Sequence, residues 1–229
     1  MQRLQRWLWW GLATFVSLSV LPVLVLRWMP PPTSAVMLQR TLAEGRSQDY
    51  QWMPLTRISP EIALAVVASE DQKFPQHWGF DLESIWDAAQ ASARGARLRG
   101  ASTLTQQVAK NLFLWQGRSY LRKGLEAWMS LLLEILWPKQ RILEVYLNIA
   151  ETGQHTFGVE AAAQRFFGRP AAAVTREQAA LLAAVLPSPR RYHAARPSEY
   201  LLEQRNRVLQ QMTQLGGVAY LGNILPAPD

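Results

Sequence analysis

The chain opens on a run without polar punctuation. Trp7 to Leu26 (WLWWGLATFVSLSVLPVLVL) carries no charge over 20 residues and is bracketed by Arg3 and Arg6 before it and Arg27 after it. A helix of that length crosses the hydrocarbon core of a bilayer. A cleaved signal would have a shorter apolar region ahead of a small-residue cleavage site. This run is followed instead by Arg27-Trp28-Met29-Pro30-Pro31-Pro32, so it reads as an uncleaved anchor. Trp7, Trp9, Trp10 and Trp28 fall at its two ends, where indole rings favour the membrane interface. Arg3, Arg6 and the amino terminus stand against Arg27 and Arg40, a near balance that favours a cytoplasmic N-terminus only weakly.

Beyond the anchor (1–29) and a linker (30–53) that begins with the stiff Pro30 to Thr33, the pattern is a succession of helix signals with little period-2 alternation. It predicts one mainly α domain over 54–229. Ser59-Pro60-Glu61 supplies a cap residue, a first-turn proline and an acid before Ile62 to Ala68, so this helix delivers Glu70 at its C-terminal end. A second helix runs through Thr103 to Leu112. Arg122 to Trp137 is apolar nearly all round (Leu125, Trp128, Met129, Leu131 to Leu133, Ile135, Leu136) and stops at Pro138, which predicts a central buried helix. Further helices are signalled at Gln140 to Asn148, at Val159 to Phe167 with Gly168 as its stop, and at Arg176 to Leu186 with Thr175 and Gln178 as a capping box. Ser198 to Leu215, ended by Gly216, completes the domain.

Composition narrows the chemistry. Lys and Arg number 24 against 17 Asp and Glu, a formal net charge of +7, so a basic face should meet nucleic acid, anionic lipid or a phosphorylated substrate. No nucleic-acid-binding motif is present, which leaves the last two. The absence of cysteine removes disulfides, Cys-ligated zinc and a thiol nucleophile. His77, His155 and His193 lack ligand spacing, so no metal site is expected.

Four clusters hold polar residues that a helical core would not select: EDQKFPQHWG (70–79), GASTLTQQVAKNLF (100–113), RKGLEAWMSLLLE (122–134) and KQRILEVYLNIAETG (139–153). In order and spacing they match Glu-Asp-x-x-Phe-x-x-His-x-Gly, Gly-x-Ser-Thr-x-Thr-Gln-Gln-x-x-Lys-Asn, Arg-Lys-x-x-Glu and Ile-Leu-Glu-x-Tyr-Leu-Asn, and so the chain resembles glycosyltransferase family 51, the peptidoglycan glycosyltransferases. The likeness runs from about Pro54 to Leu215; Gln154-His155-Thr156 departs from it, since bulkier or aromatic residues are more usual there. The resemblance implies a lysozyme-like helical domain with a smaller membrane-proximal lobe, on the outer side of the cytoplasmic membrane. The implied activity is inverting polymerisation of lipid II into β-1,4-linked glycan strands, with the lipid precursor, the nascent strand and the membrane as partners and no nucleic acid. It leaves room for cell-wall synthesis or division proteins as further partners. No cofactor is obligatory, and a divalent cation (Mg2+ or Mn2+) at the pyrophosphate is compatible with it.

The chemistry gives these residue types an independent reason. A sugar hydroxyl must lose its proton while attacking an anomeric carbon, and Glu70 is the candidate base. A pyrophosphate leaving group is already a stable anion, so cations can replace the second acid of a glycosidase. Gln106 and Gln107 lie one turn from Lys110 and Asn111, and Arg122 and Lys123 precede Glu126 by four and three residues, each set on one helix face. By resemblance, Lys110, Arg118 and Lys123 hold the pyrophosphate, and Glu126 is the second acidic catalytic residue of the site, positioning a lysine or a divalent ion. Ser102, Thr103, Gln106, Gln107 and Asn111 are further substrate contacts or, for the hydroxyls, helix caps. Set apart, Glu70-Asp71 would read as a solvated helix end and Glu126 as a surface ion-pair partner of Arg122; Glu134 and Glu144 suit structural ion pairs at least as well as catalysis. His77 reads as a loop-fixing residue, and the apolar stretches Phe80 to Trp86 and Leu112 to Trp115 as core or membrane-dipping surface. A lytic glycosidase and a non-catalytic membrane scaffold are the alternative readings. Neither Ser-x-x-Lys nor Lys-Thr-Gly occurs, so this chain carries no acyl-transfer apparatus; a fluorescent penicillin should leave it unlabelled, and a covalent adduct on a denaturing gel would contradict this.

Overall fold

The fold is that of a computed structural model, which describes residues 2–93, 102–117 and 119–225. In chain order it contains α1 (Gln2–Leu26), α2 (Ala35–Glu44), β1 (Asp49–Tyr50), α3 (Pro60–Glu70), α4 (Leu82–Ala93), α5 (Leu104–Phe113), α6 (Tyr120–Leu136) and α7 (Lys139–Ile149). A hairpin of β2 (Glu151–Gly153) and β3 (Thr156–Phe157) leads to α8 (Val159–Phe167), α9 (Arg176–Val185) and α10 (Glu199–Gln214). The mainly α expectation is met. The small sheet has the order β1-β3-β2, with β1 parallel and β2 antiparallel to β3.

Local chemistry explains most of the boundaries. Thr103 and Thr175 each close a capping box, with Gln106 and Gln178 reaching back to the cap residue's backbone N–H. α8 ends at Gly168 and α10 just before Gly216, both left-handed (φ 63° and 88°). Ser59 occupies the cap position of α3, but its hydroxyl makes no capping bond; Pro60 starts the helix. Residues 30–53, read as linker, contain α2, which Ser34 caps at the N–H of Met37 and which packs Val36 and Met37 into the core beside α5. The Pro-rich entry to this segment hides so short a helix.

The centre of the domain is α3, whose residues Ile62 to Ala68 are all buried. It packs on α9 and α10, and α5 packs on α6 and α7. Alanines 63, 65 and 68 on α3 and 179, 180 and 183 on α9 are buried, and small side chains let two helices approach closely. The expectation that Arg122 to Trp137 is the central buried helix is corrected. α6 buries Met129, Ser130, Leu132 and Leu133, but Leu121, Leu131 and Ile135 are exposed. It also packs on α1, where the rings of Phe15 and Trp128 lie 6.0 Å apart. A helix apolar all round needs apolar surroundings, and here the anchor supplies part of them.

The anchor is joined to the domain through named groups. Arg141, buried at the start of α7, donates to the carbonyls of Leu26 (2.9 Å) and Met29 (2.6 Å) and lies 5.0 Å from the ring centre of Trp52. Trp137 Nε1 donates to Val23 O at 2.7 Å, and Arg27 donates to Leu136 O. Arg141 also pairs with Glu144, whose other oxygen accepts the N–H of Leu55 at 2.9 Å.

One turn further along α7, fully buried Asn148 fixes the segment entering α3: its amide oxygen accepts from Met53 N–H (2.7 Å) and its amide nitrogen donates to Met53 O and Glu144 O (2.8 Å each). Gly158 (φ 81°) lies against it so closely that a Cβ would fall 2.5 Å from Asn148 O. Asn148→Ala should therefore leave two backbone groups of Met53 unpaired and destabilise the domain by about 2–4 kcal/mol. Denaturant unfolding followed by circular dichroism in detergent measures this.

Candidate active site

Glu70 leaves the last turn of α3 and is held from α5: Gln107 Nε2 donates to Glu70 Oε2 at 2.8 Å, and the hydroxyl of Tyr146 on α7 donates to Gln107 Oε1 at 3.3 Å. The Tyr146 ring is buried among apolar neighbours, and this pushes its phenol well above the ordinary range, so it remains a neutral donor. The chain Tyr146–Gln107–Glu70 orients the carboxylate from a rigid base. Burial pushes the Glu70 carboxyl above its ordinary value, Asp71 adds to the shift, and Gln107 and the Lys110 ammonium oppose it. Burial also holds the Lys110 ammonium below the usual lysine range, against the attraction of Glu126 and Glu70.

The neighbouring Asp71 does a different task. Its carboxylate accepts the N–H of Leu104 at the start of α5 (2.9 Å) and meets His77 Nε2 at 2.9 Å. A carboxylate can only accept, so His77 Nε2 carries the proton. The hydroxyl of Thr103 donates to Gly79 O at 2.6 Å. His77 thus fixes the loop of residues 71–79 to α5.

Glu126 is buried on α6, its two oxygens taken by Arg122 Nη1 (2.6 Å) and by Lys123 Nζ. Arg122 Nε is buried and has no acceptor among the described residues.

Two cavities flank the Glu70–Gln107 pair. A groove of about 520 Å³ is lined by Gln107, Lys110, Asn111 and Arg122, with Tyr146, Trp115, Glu151, Leu186 and Pro189 around them. A second cavity, about 240 Å³, holds Glu70 itself with Ser69, Gln72, Lys73 and Ser102. Gln107 belongs to the wall of the first and donates to the carboxylate in the second.

The structure thus brings together Glu70, Gln107, Lys110, Asn111 and Ser102 around the two cavities. Thr103 and Gln106 are buried and form the capping box; Thr103 still lines the cavity of Glu70, whereas Gln106 lines neither cavity. Lys123 is half exposed and engaged with Glu126, while Arg122, absent from the sequence-based site, lines the groove. Arg118 lies outside the described residues. Glu134 accepts from the Thr105 hydroxyl (2.5 Å) and pairs with Lys139 (2.8 Å), so it holds α5 to α6. Sequence reasoning missed Arg122 because its i,i+4 spacing to Glu126 accounts for it locally, and missed Glu151 and Pro189 because nothing local marks a groove wall. The departing segment, Gln154 to Thr156, makes the β2–β3 turn: His155 adopts φ 60° and lies 3.0 Å from Glu44. Among the described residues no group of three His, Cys, Asp or Glu side chains could hold a metal ion.

A helical domain with one structural carboxylate, one oriented carboxylate and a cation-lined groove defines the class: a glycosyl-transferring domain of lysozyme-like fold, preceded by one helix long and apolar enough to span a membrane. The family model described as Transglycosylase matches residues 36–213. The chain belongs to that family. It is 53% identical over 228 residues to the biosynthetic peptidoglycan transglycosylase of Pseudomonas fluorescens, covering 97% of this chain and 93% of the relative. It is also similar to the proteins of the same name from Stutzerimonas stutzeri (51% over 229 residues, 98% and 93%) and Xanthomonas campestris pv. campestris (52% over 229 residues, 96% and 93%).

The electrostatics carry a sign that can be checked. Because burial raises the Glu70 pKa, the folded state holds that proton more tightly than the unfolded chain does, so stability from this group is present at low pH and is lost as pH rises through the folded value. Gln107→Leu removes a donor to the ionised form and should move the Glu70 titration further up. Carbon-13 NMR of the labelled carboxyl reads the shift, and a downward move would contradict the assignment.

Proposed function

We propose that this chain polymerises lipid II into glycan strands for the bacterial cell wall, by inverting transfer with Glu70 as general base. The observation that carries this reading is a hydrogen bond that links two cavities: Glu70 lines the smaller one, and Gln107, which holds it, lines a groove shared with Lys110 and Arg122. The growing strand, linked to polyprenyl pyrophosphate, lies in the groove as donor. The incoming lipid II places its sugar hydroxyl at Glu70 as acceptor. Glu70 removes the hydroxyl proton as oxygen attacks the anomeric carbon, and the pyrophosphate departs on the opposite face toward the cations. In-line displacement converts the α-linked donor into a β-1,4 linkage and releases polyprenyl pyrophosphate.

Partial desolvation suits both partners. A carboxylate with a raised pKa is a stronger base than one in water. Cations in a half-buried groove act on developing phosphate charge more strongly than in bulk water. Arg122, which lines the groove, joins Lys110 in this role, and Arg118 does so by resemblance. Glu126 keeps Arg122 and Lys123 in place as a positioning residue, since both its oxygens are already taken. The same fact argues against a resident metal on Glu126 and against a lytic glycosidase, which needs a second carboxyl group free to act as an acid. No obligatory cofactor is assigned; a divalent cation (Mg2+ or Mn2+) would arrive on the pyrophosphate itself.

The polyprenyl tail must remain in lipid while its sugars reach Glu70, so the domain belongs against the outer face of the cytoplasmic membrane. Exposed Trp78, Leu82 and Trp86 and the open face of α6 suit contact with that surface, whereas Leu112 and Leu114 are buried and do not.

The test uses detergent-solubilised protein and lipid II. Glu70→Gln should keep the fold and lose about 10²–10⁴ in rate. Lys110→Ala should lower turnover at saturating substrate by about 10² and weaken inhibition by a moenomycin-type phosphoglycolipid. Near-normal turnover of folded Glu70→Gln, or an α-linked product, would overturn the mechanism.

A further inference from the structure

A third cavity, about 470 Å³, is lined by Arg191, Tyr192, Ser198 and Tyr200 and takes no part in the chemistry above. The rings of Tyr192 and Tyr200 stack in it with centroids 5.6 Å apart and planes 29° from parallel. The Arg191 guanidinium lies 5.8 Å from the centre of the Tyr192 ring. Tyr192 is anchored from below by packing on the small apolar cluster that includes Leu182 and Phe166. Tyr200 stands in the first turn of α10, which Ser198 caps, and remains 50% exposed.

A single turn connects this cavity to the donor groove. Pro189 and Glu151 line the groove. Arg190, next in the chain, pairs with Glu44 at 2.8 Å and lies 3.9 Å from Glu151. The N–H groups of Arg191 and Tyr192 both donate to Ser188 O at 3.0 Å, which folds the turn tightly. Only Arg190 therefore separates Pro189 on the wall of one cavity from Arg191 on the wall of the other, a reach of at most about 7 Å.

We infer that the cavity of Arg191, Tyr192, Ser198 and Tyr200 is a distal subsite for the nascent glycan strand, receiving sugars that have passed out of the groove over the 188–192 turn. The inference rests on the donor-groove reading above. Pyranose rings present a C–H face that packs against an aromatic plane, and the strand's hydroxyls and carboxylates suit a neighbouring guanidinium and hydroxyl. A ring pair already stacked and held from below binds without much ordering cost. A pair that served the core alone would bury both rings, and Tyr200 is half open. A strand held at a second place re-binds before it escapes, so this subsite governs the number of additions per encounter rather than the rate of each.

The full chain in detergent, given lipid II, tests this through the length distribution of the product on a gel. Tyr200→Ala and Arg191→Ala should leave the initial rate of lipid II consumption unchanged and shorten the mean strand by about three- to tenfold. Tyr200→Phe, which keeps the ring, should restore wild-type length, and all three variants should melt with the wild type. A lipid-free glycan oligosaccharide should perturb the ring signals of Tyr192 and Tyr200 in the wild type. Wild-type strand length from Tyr200→Ala and Arg191→Ala overturns the subsite while leaving the enzymatic reading intact. A wild type that does not polymerise lipid II overturns that reading first and the subsite with it. A variant that changes the oligomeric state alone assigns the ring pair to a second copy and likewise overturns the proposal.

Discussion

The carboxylate of Asp71 is the joint on which the site depends. It accepts the N–H that opens α5, 33 positions further along the chain, and the ring N–H of His77. An anionic acceptor at a helix N-terminus satisfies an otherwise unpaired donor and meets the positive end of the helix dipole. The consequence is geometric: the C-terminal end of α3 and the N-terminal end of α5 are held together, and Glu70 comes within 2.8 Å of Gln107. The Thr103–Gly79 bond closes the same loop from its other end. Adjacent acids, Glu70 and Asp71, therefore diverge in role because one is oriented into a cavity and the other is consumed by a helix start.

Charge in the site is arranged as two unequal halves. On one side stands a carboxylate raised in pKa by burial and tempered by an amide donor and a distant ammonium. On the other stand Lys110 and Arg122, with Glu126 compensating the basic residues of α6. A buried acid between two cations removes much of their mutual repulsion, so several positive groups can share one groove wall at tolerable cost. This distribution suits a reaction in which a proton leaves at one place and negative charge accumulates at another.

The anchor is part of this architecture rather than a tether. Val23 is buried in the main core, Arg141 and Trp137 bind carbonyls at the end of α1, and Leu136 O accepts from Arg27 just beyond it. Arg141 connects onward through Glu144 to Leu55, and Asn148, a turn later, clamps Met53 at the entry to α3. The N-terminal apolar helix and the helix that carries Glu70 are thus coupled through one face of α7, which sets how the cavities are aimed relative to α1.

The sequence alone was enough for whatever is written in short-range chemistry. The anchor, the capping box of α9, the glycine stops after α8 and α10 and the delivery of Glu70 at the end of α3 all follow from residues within a few positions of one another. The four polar clusters were legible for a related reason, since a helical core has no use for such residues at such spacing. The tertiary structure decided which of those polar groups face the cavities. Gln106 and Gln107 are neighbours on one helix, yet one closes a capping box and the other holds Glu70. Arg122 and Lys123 differ likewise, since only Arg122 lines the groove. The pattern misplaced α6 at the centre because an apolar surface does not say whether core or anchor will cover it. Groove walls drawn from α2, β2 and the turn at Pro189 lie far apart along the chain, and packing free energy depends on which surfaces meet, a quantity no local spacing encodes.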